Sequence, residues 1–212
     1  MTATPHGAQV AGRPTRLPRS ARRKQLLAAA QEVFVAQGYH SAAMDDIAER
    51  AGVSKPVLYQ HFPGKLELYL ALLDTHSDAL VARVREAMQA TTDNKERVRG
   101  AVGAYFDFIA HESGAFRLVF ESDLRSEPAV RERVERVEQD CITAITGTIM
   151  SSTGVSRPRA ELLASGLVGA AVTAAQFWLA GGRQVPKHEA EELLAVLSWR
   201  GIASFPLQGE SA

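Results

Sequence analysis

Between Ser41 and Lys65 the chain gathers polar side chains at a density that a seven- or eight-residue helix does not need for folding. Ser54, Lys55, Tyr59, Gln60 and His61 surround only Val57, Leu58 and Phe62. Each of these types has a partner on duplex DNA. A Gln pairs two-pronged with an adenine edge, and a Val touches a thymine methyl, while Ser, Tyr and Lys suit phosphate oxygens. Leu58 and Phe62, at i and i+4, belong to a core. Ser54, Lys55, Val57, Tyr59, Gln60 and His61 are then left to face a ligand. Lys65 opens the next helix, where free N–H groups and the positive end of the dipole favour a phosphate, and Ser41 stands in the same relation to the helix before.

A basic arm precedes this group. Arg13, Arg16, Arg19, Arg22, Arg23 and Lys24 follow one another without an acid among them. Arms of this kind enter a minor groove, and Arg16 and Arg19 are the candidates for that contact. The net charge of zero hides the asymmetry: nine Lys and Arg stand against four acids through Lys65, and the rest of the chain is acidic. A solvated tail that contacts nothing is the alternative reading of residues 1–19.

Catalytic patterns are missing. The six histidines are scattered without H-E-x-x-H spacing, there is no G-x-S-x-G and no phosphate-cradling glycine loop, so no catalytic residue and no metal site is expected. His76 with Asp78, and His111 with Glu112, read as solvated helix positions. The lone cysteine, Cys141, has no disulfide partner and lies in the amphipathic stretch QDCITAI, where an inert thiol is expected. With no run of eighteen apolar residues and no secretory leader pattern, the cytoplasm is the expected location and no membrane partner is expected.

The elements that position these residues read as helices throughout. Ser20 can cap a first helix ending at Gln37, with Gly38 beyond it. Further helices are expected at about 44–50, 55–62, 65–89, 94–111, 115–123, 128–150, 158–180 and 188–203, about nine in all, each with apolar residues at three and four. Gly52 turns the chain before the third, Ser54 can cap it, and Pro56 sits in its first turn where its missing N–H costs nothing. A helix, a tight glycine turn and a short polar helix make a helix-turn-helix, whose second element enters the major groove. The fold class is therefore all-α: a basic arm over 1–19, a three-helix DNA-binding domain over 20–64, and a helical ligand-binding and dimerisation domain over 65–212.

The helix containing LLASGLVGAAVTAAQFWLA is apolar almost all round, so more than one face must be buried. With Leu193, Leu194, Leu197, Trp199 and Ile202 on the helix that follows, it can form a four-helix interface with a second copy over about 158–203. Enclosure within a single monomer core is the alternative.

The segment MDDIAERAGVSKPVLYQHFPGKLELYLALL resembles the TetR family of bacterial transcription regulators, whose pattern runs I-A-x-x-A-G-V-S and then Y-x-H-F-x-x-K-x-x-L. Ile47, Ala48, Ala51, Gly52, Val53 and Ser54, then Tyr59, His61, Phe62, Lys65 and Leu68 carry the match. Pro56 and Val57 depart from it, where Gly and Thr are more usual. RLPR, VFVAQGYH, FDFI, RLVFESD and GLVG extend the likeness to actinobacterial activators of fatty-acid-synthesis genes. The resemblance implies a homodimer on a palindromic operator and a long-chain acyl-CoA that weakens DNA binding; a repressor responding to another hydrophobic ligand is the alternative. It implies no cofactor. An acyl chain needs an apolar space between helices. The candidates for its lining are Leu80, Val84, Met88, Tyr105, Phe106, Ile109, Phe116, Phe120, Cys141, Ile145, Phe177 and Trp178, with Gly166, Gly169, Ala170 and Ala174 leaving room beside them.

Overall fold

The structure, a computed structural model, describes residues 17–111, 124 and 126–201. Most of the basic arm with Arg16, the expected helix at 115–123 with Phe116 and Phe120, the His111 side chain and Ile202 lie outside the described residues. Among those described, every regular element is a helix. In chain order they are α1 (Arg19–Ser41), α2 (Met44–Arg50), α3 (Lys55–His61), α4 (Lys65–Gln89), α5 (Asn94–His111), α6 (Pro128–Thr153), α7 (Arg157–Ala180) and α8 (Lys187–Arg200).

Local chemistry sets most of these boundaries. α1 begins before Ser20: the Pro18 carbonyl accepts from the Arg22 N–H at 2.9 Å, so Pro18 holds the N-cap position and Ser20 falls in the first turn. Gly38, at φ 76°, breaks α1 where a glycine was expected to end it, and one further turn follows. Gly52 takes φ +63° between α2 and α3, which few L-residues tolerate. Ser54 occupies the N-cap position of α3 without a side-chain cap bond, and Pro56 lies in the first turn as expected.

α1, α2 and α3 close around Leu26, Ile47 and Leu58, each wholly inaccessible, with Phe34 and Phe62 beside them. Burying such a side chain is worth roughly 1.5–3 kcal/mol. α4 continues this core: its Tyr69 ring meets Phe34 edge-on at 5.2 Å and Tyr39 at 5.2 Å. Further along, the same helix packs on α5 and α6, which in turn carry α7 and α8. One continuous core thus runs from Leu26 to Leu194. His76 belongs to it. The solvated position expected for His76 is incorrect, because residues 69, 72, 73, 76, 80 and 84 form the buried stripe of α4, and His76 meets Phe108 there.

α7 is long and apolar enough to cross a membrane, yet only 28% of its most apolar window is buried within the chain. Leu162, Leu163 and Phe177 are exposed on it, and Leu193, Leu197 and Trp199 on α8. Enclosure of both helices within one subunit's core is therefore excluded for these positions.

The join between the first three helices and the rest is made by Lys65. Its ammonium donates to the carbonyls of Tyr39 at 2.8 Å, Ala42 at 2.9 Å and His40 at 3.2 Å, and stands 4.5 Å from the Tyr39 ring centroid. Lys65→Met keeps the stem and leaves those carbonyls without their cation. It should lower unfolding stability by about 1–3 kcal/mol, read as a shift of the urea midpoint at unchanged slope. An unaltered midpoint would show that the three bonds contribute nothing.

Candidate nucleic-acid interface and effector cavity

The turn that sets α3 against α2 is tied from α1. Gln25 donates through Nε2 to the Ala51 carbonyl at 2.8 Å, and Arg22 donates to Gln25 Oε1 at 2.7 Å. Within the turn, the N–H groups of Ala51, Gly52 and Val53 return to Ile47, Glu49 and Ala48. α3 is thereby fixed with Leu58 inward and Ser54, Lys55, Tyr59 and Gln60 outward; Val57 and His61 are half-buried. Tyr59 is 48% exposed, a large ring left in solvent.

Arginines flank this face. Burial first, then the charges of Arg19, Arg23 and Arg22, hold the His61 imidazole below its ordinary 6.5. Arg23 lies 4.4 Å from the Phe62 ring centroid, which fixes its guanidinium beside the end of α3. Arg22 and Arg23 stand in the same basic run as Arg16 and Arg19, and spacing alone does not single them out as contacts; their place on the first turns of α1 is what brings them to His61. Ser41 is exposed at the end of α1. Lys55 pairs with Asp45 across the turn at 2.6 Å, both side chains being more than half exposed. Lys65 is different: with its donors on three carbonyls, it positions the turn before α2, and the free phosphate-binding ammonium expected of it is not what the structure presents.

The back half contains two apolar spaces. A cavity of about 470 Å³ lies among α5, α6, α7 and α8, with Met88 of α4 in its lining. Met88, Tyr105 and Ile145 line it as expected, and Gly166 leaves room in its wall: a Cβ there would meet nothing within 4 Å. Val98, Val102, Leu162, Leu163 and Leu167 also line it and were missed, since each reads in sequence as ordinary helix packing; Trp199, which reads as part of the dimer face, lines it as well. At one end Arg97, Asn94 and Ser152 hydrogen-bond to one another, a polar margin on an otherwise apolar space. A second space, a groove of about 460 Å³, is lined by Phe106, Phe177 and Trp178 with Leu193 and Leu197. Leu80, Val84, Ile109 and Cys141 line neither; they are buried core. Burial pushes the Cys141 thiol up to about 11, and it shares a hydrogen bond with Tyr105, so it is protonated and unreactive near neutrality.

Residues 26–72 match the family described as bacterial regulatory proteins, tetR family, and residues 94–201 match the tetracyclin repressor-like C-terminal domain. The chain belongs to the TetR family. It is 50% identical, over 92% of its own length and 89% of the relative's, to the HTH-type transcriptional activator FasR of Mycolicibacterium smegmatis. Among solved structures it resembles a TetR-like regulator from Rhodococcus sp. RHA1, at 31% identity and TM-score 0.68, covering 90% of this chain and 100% of that one. FadR of Bacillus subtilis, solved in complex with stearoyl-CoA, shares the fold at 20% identity and TM-score 0.72, with 84% and 98% covered.

As a TetR-family protein the chain is a DNA-binding transcription regulator and not an enzyme. α3 is the second helix of its helix-turn-helix, the element that such motifs place in a major groove. Neutral His61 sits among cations in the free protein; a phosphate backbone opposite would offset those charges and raise its pKa. Binding then takes up a proton, and DNA affinity should rise as pH falls from 7 towards 5.5, by about twofold to tenfold by fluorescence anisotropy at constant salt. His61→Gln should flatten the slope. In the free protein the sign is opposite: as pH falls below 6.5 the unfolded chain takes up this proton first, so His61 subtracts stability there. A pH slope that survives in the variant would remove His61 from the interface.

Proposed function

We propose that the protein is a homodimeric activator of fatty-acid-synthesis genes that binds a palindromic operator through two copies of α3 and is released by a long-chain acyl-CoA. The observation that carries this reading is the position of Met88. It lines the 470 Å³ cavity on a 25-residue helix that begins with Lys65 and extends about 37 Å at ~1.5 Å per residue. A ligand pressing on that end acts on a rigid rod whose other end is clamped to the DNA-reading helices.

Three further observations support the reading. The chain is half identical to a transcriptional activator, and a protein of the same fold accommodates stearoyl-CoA. Phe177, 80% exposed, together with Leu193 and Leu197, offers an apolar face on α7 and α8 of the kind a second copy buries. Gln60 and Val57 are the base-reading candidates. Ser41, Ser54 and Tyr59 with Arg19, Arg22 and Arg23 are the phosphate candidates. Lys55 joins them by exchanging an exposed ion pair, weak in water, for a phosphate. Arg16 and the arm take the minor groove.

Anisotropy of a labelled duplex from upstream of a fatty-acid-synthase gene tests the whole. Binding is expected to fall at least tenfold on saturation with palmitoyl-CoA, and to persist with free CoA. Phe177→Glu should yield a monomer by sedimentation and lose the operator with it. Gln60→Ala should cost about 1–3 kcal/mol at one base pair of each half-site and nothing on a duplex already mutated there. Operator binding indifferent to palmitoyl-CoA would leave a regulator of some other signal.

A further inference from the structure

The cavity has a neighbour of opposite character. On the far side of Trp199, a smaller hollow of about 140 Å³ is lined by Lys95, Arg99, Arg200, Glu192, Ala195 and Val196. Trp199 lines both spaces and is 46% exposed. Three cations thus line it with one carboxylate, Glu192, and Arg99 is paired with a second, Glu96, in a half of the chain where acids outnumber bases. Arg99 is held by Glu192 through bonds of 2.7, 2.8 and 3.1 Å, with Glu96 reaching it at 3.1 Å, so its guanidinium is fixed in place. Lys95 and Arg200 have no ion pair among the described residues, and their charge is available to an incoming anion.

We infer that the apolar cavity and this basic shelf are the two halves of one site, taking the acyl chain and the phosphorylated nucleotide head of an acyl-CoA respectively, with Trp199 as their common wall. The inference rests on the acyl-effector reading above. A thioester joins an apolar chain to a head carrying several phosphate charges, and an apolar space alone cannot distinguish that molecule from a free fatty acid. The shelf can. The first N–H groups of α5 are already taken by the Asp93 carboxylate at 2.7 and 3.4 Å, so recognition of the phosphates falls to the side chains of Lys95 and Arg200. The indole of Trp199 offers a flat face on which an adenine can stack. The shelf shares no residue with the groove of Phe177, Leu193 and Leu197, so head-group binding and pairing of subunits do not compete for the same residues.

Calorimetry on the full chain with palmitoyl-CoA, palmitate and CoA, at two salt concentrations, separates the possibilities. Palmitoyl-CoA is expected to bind at least tenfold more tightly than palmitate, with an advantage that shrinks as salt rises. The exposed double substitution Lys95→Ala with Arg200→Ala should abolish that advantage and leave palmitate binding unchanged, which also reports an intact cavity. Trp199→Ala should weaken both acyl ligands, because both lie against it. If the double variant binds palmitoyl-CoA as the unaltered protein does, the shelf is not the head-group site, although the acyl reading stands. If the unaltered protein binds neither palmitoyl-CoA nor palmitate, the acyl reading falls and the shelf assignment with it.

Discussion

The coupling of the first three helices to the bundle depends on the three carbonyls that converge on the Lys65 ammonium. The carbonyls of Tyr39, His40 and Ala42 come from the end of α1 and the turn into α2, and none finds a helical partner there; Lys65, the first residue of α4, supplies a donor to each. Around it Phe34, Tyr39 and Tyr69 pack ring to ring at 5.2 to 5.8 Å. A cation satisfied by three dipoles and one π face has little freedom to move alone. When α4 moves, the end of α1 and the turn before α2 move with it, and through Gln25 and the Ala51 carbonyl the same constraint reaches α3. The ion pair between Arg133 of α6 and Asp74 of α4, at 2.9 Å, anchors the middle of the same rod to the bundle.

A ligand can reduce DNA affinity only by binding better to a subunit arrangement in which the reading helices are misplaced. Two half-sites one helical turn apart require recognition helices about 34–36 Å apart. With a rod some 37 Å long, a tilt of a few degrees at Met88 becomes a displacement of a few ångströms at α3, comparable with the spacing of successive base pairs. The proposed lever therefore needs no unfolding and no large domain movement. Packed interfaces tend to be bistable rather than elastic, which favours a discrete shift over a graded one.

The sequence made the helix-turn-helix legible and the apolar space of the bundle mostly not, for a physical reason. α2, the Gly52 turn and α3 are short elements whose boundaries are set by local chemistry, and Gly52, Pro56 and the Leu58–Phe62 pair could be read without any partner. What local chemistry could not disclose was direction. Lys65 looks like a phosphate ligand until the Tyr39, His40 and Ala42 carbonyls are seen around it, and those lie more than twenty residues away. In the bundle the same difficulty applies to every apolar residue. Leu80, Val84 and Cys141 share the helical spacing of Met88 and Ile145, yet they fill core while Met88 and Ile145 border a space. Whether an apolar position meets a side chain or a void is decided by the neighbouring helix. Trp199 shows this most plainly: it read as part of a dimer face, and it separates an apolar space from a charged one.

The distribution of charge links the two ends. Through Lys65 the chain carries nine Lys and Arg against four acids, and beyond it fifteen against twenty. A molecule so divided is oriented in the field of a duplex before contact: the arginines of α1 are drawn in while the acidic bundle is pushed away, which raises the rate of productive encounter and keeps the apolar cavity clear of the nucleic acid. Within that acidic bundle a cluster of Lys95, Arg99 and Arg200 runs against the local trend. Cations placed there lose attraction to DNA by distance, since at physiological salt the field is screened within about 8 Å. Arg99 is already paired with Glu192 and Glu96, while the charge of Lys95 and Arg200 is open to something that comes to the bundle itself. On the proposed acyl-CoA reading, a small anion with an apolar tail meets that condition, and it would do so beside the apolar space that Met88 of α4 borders.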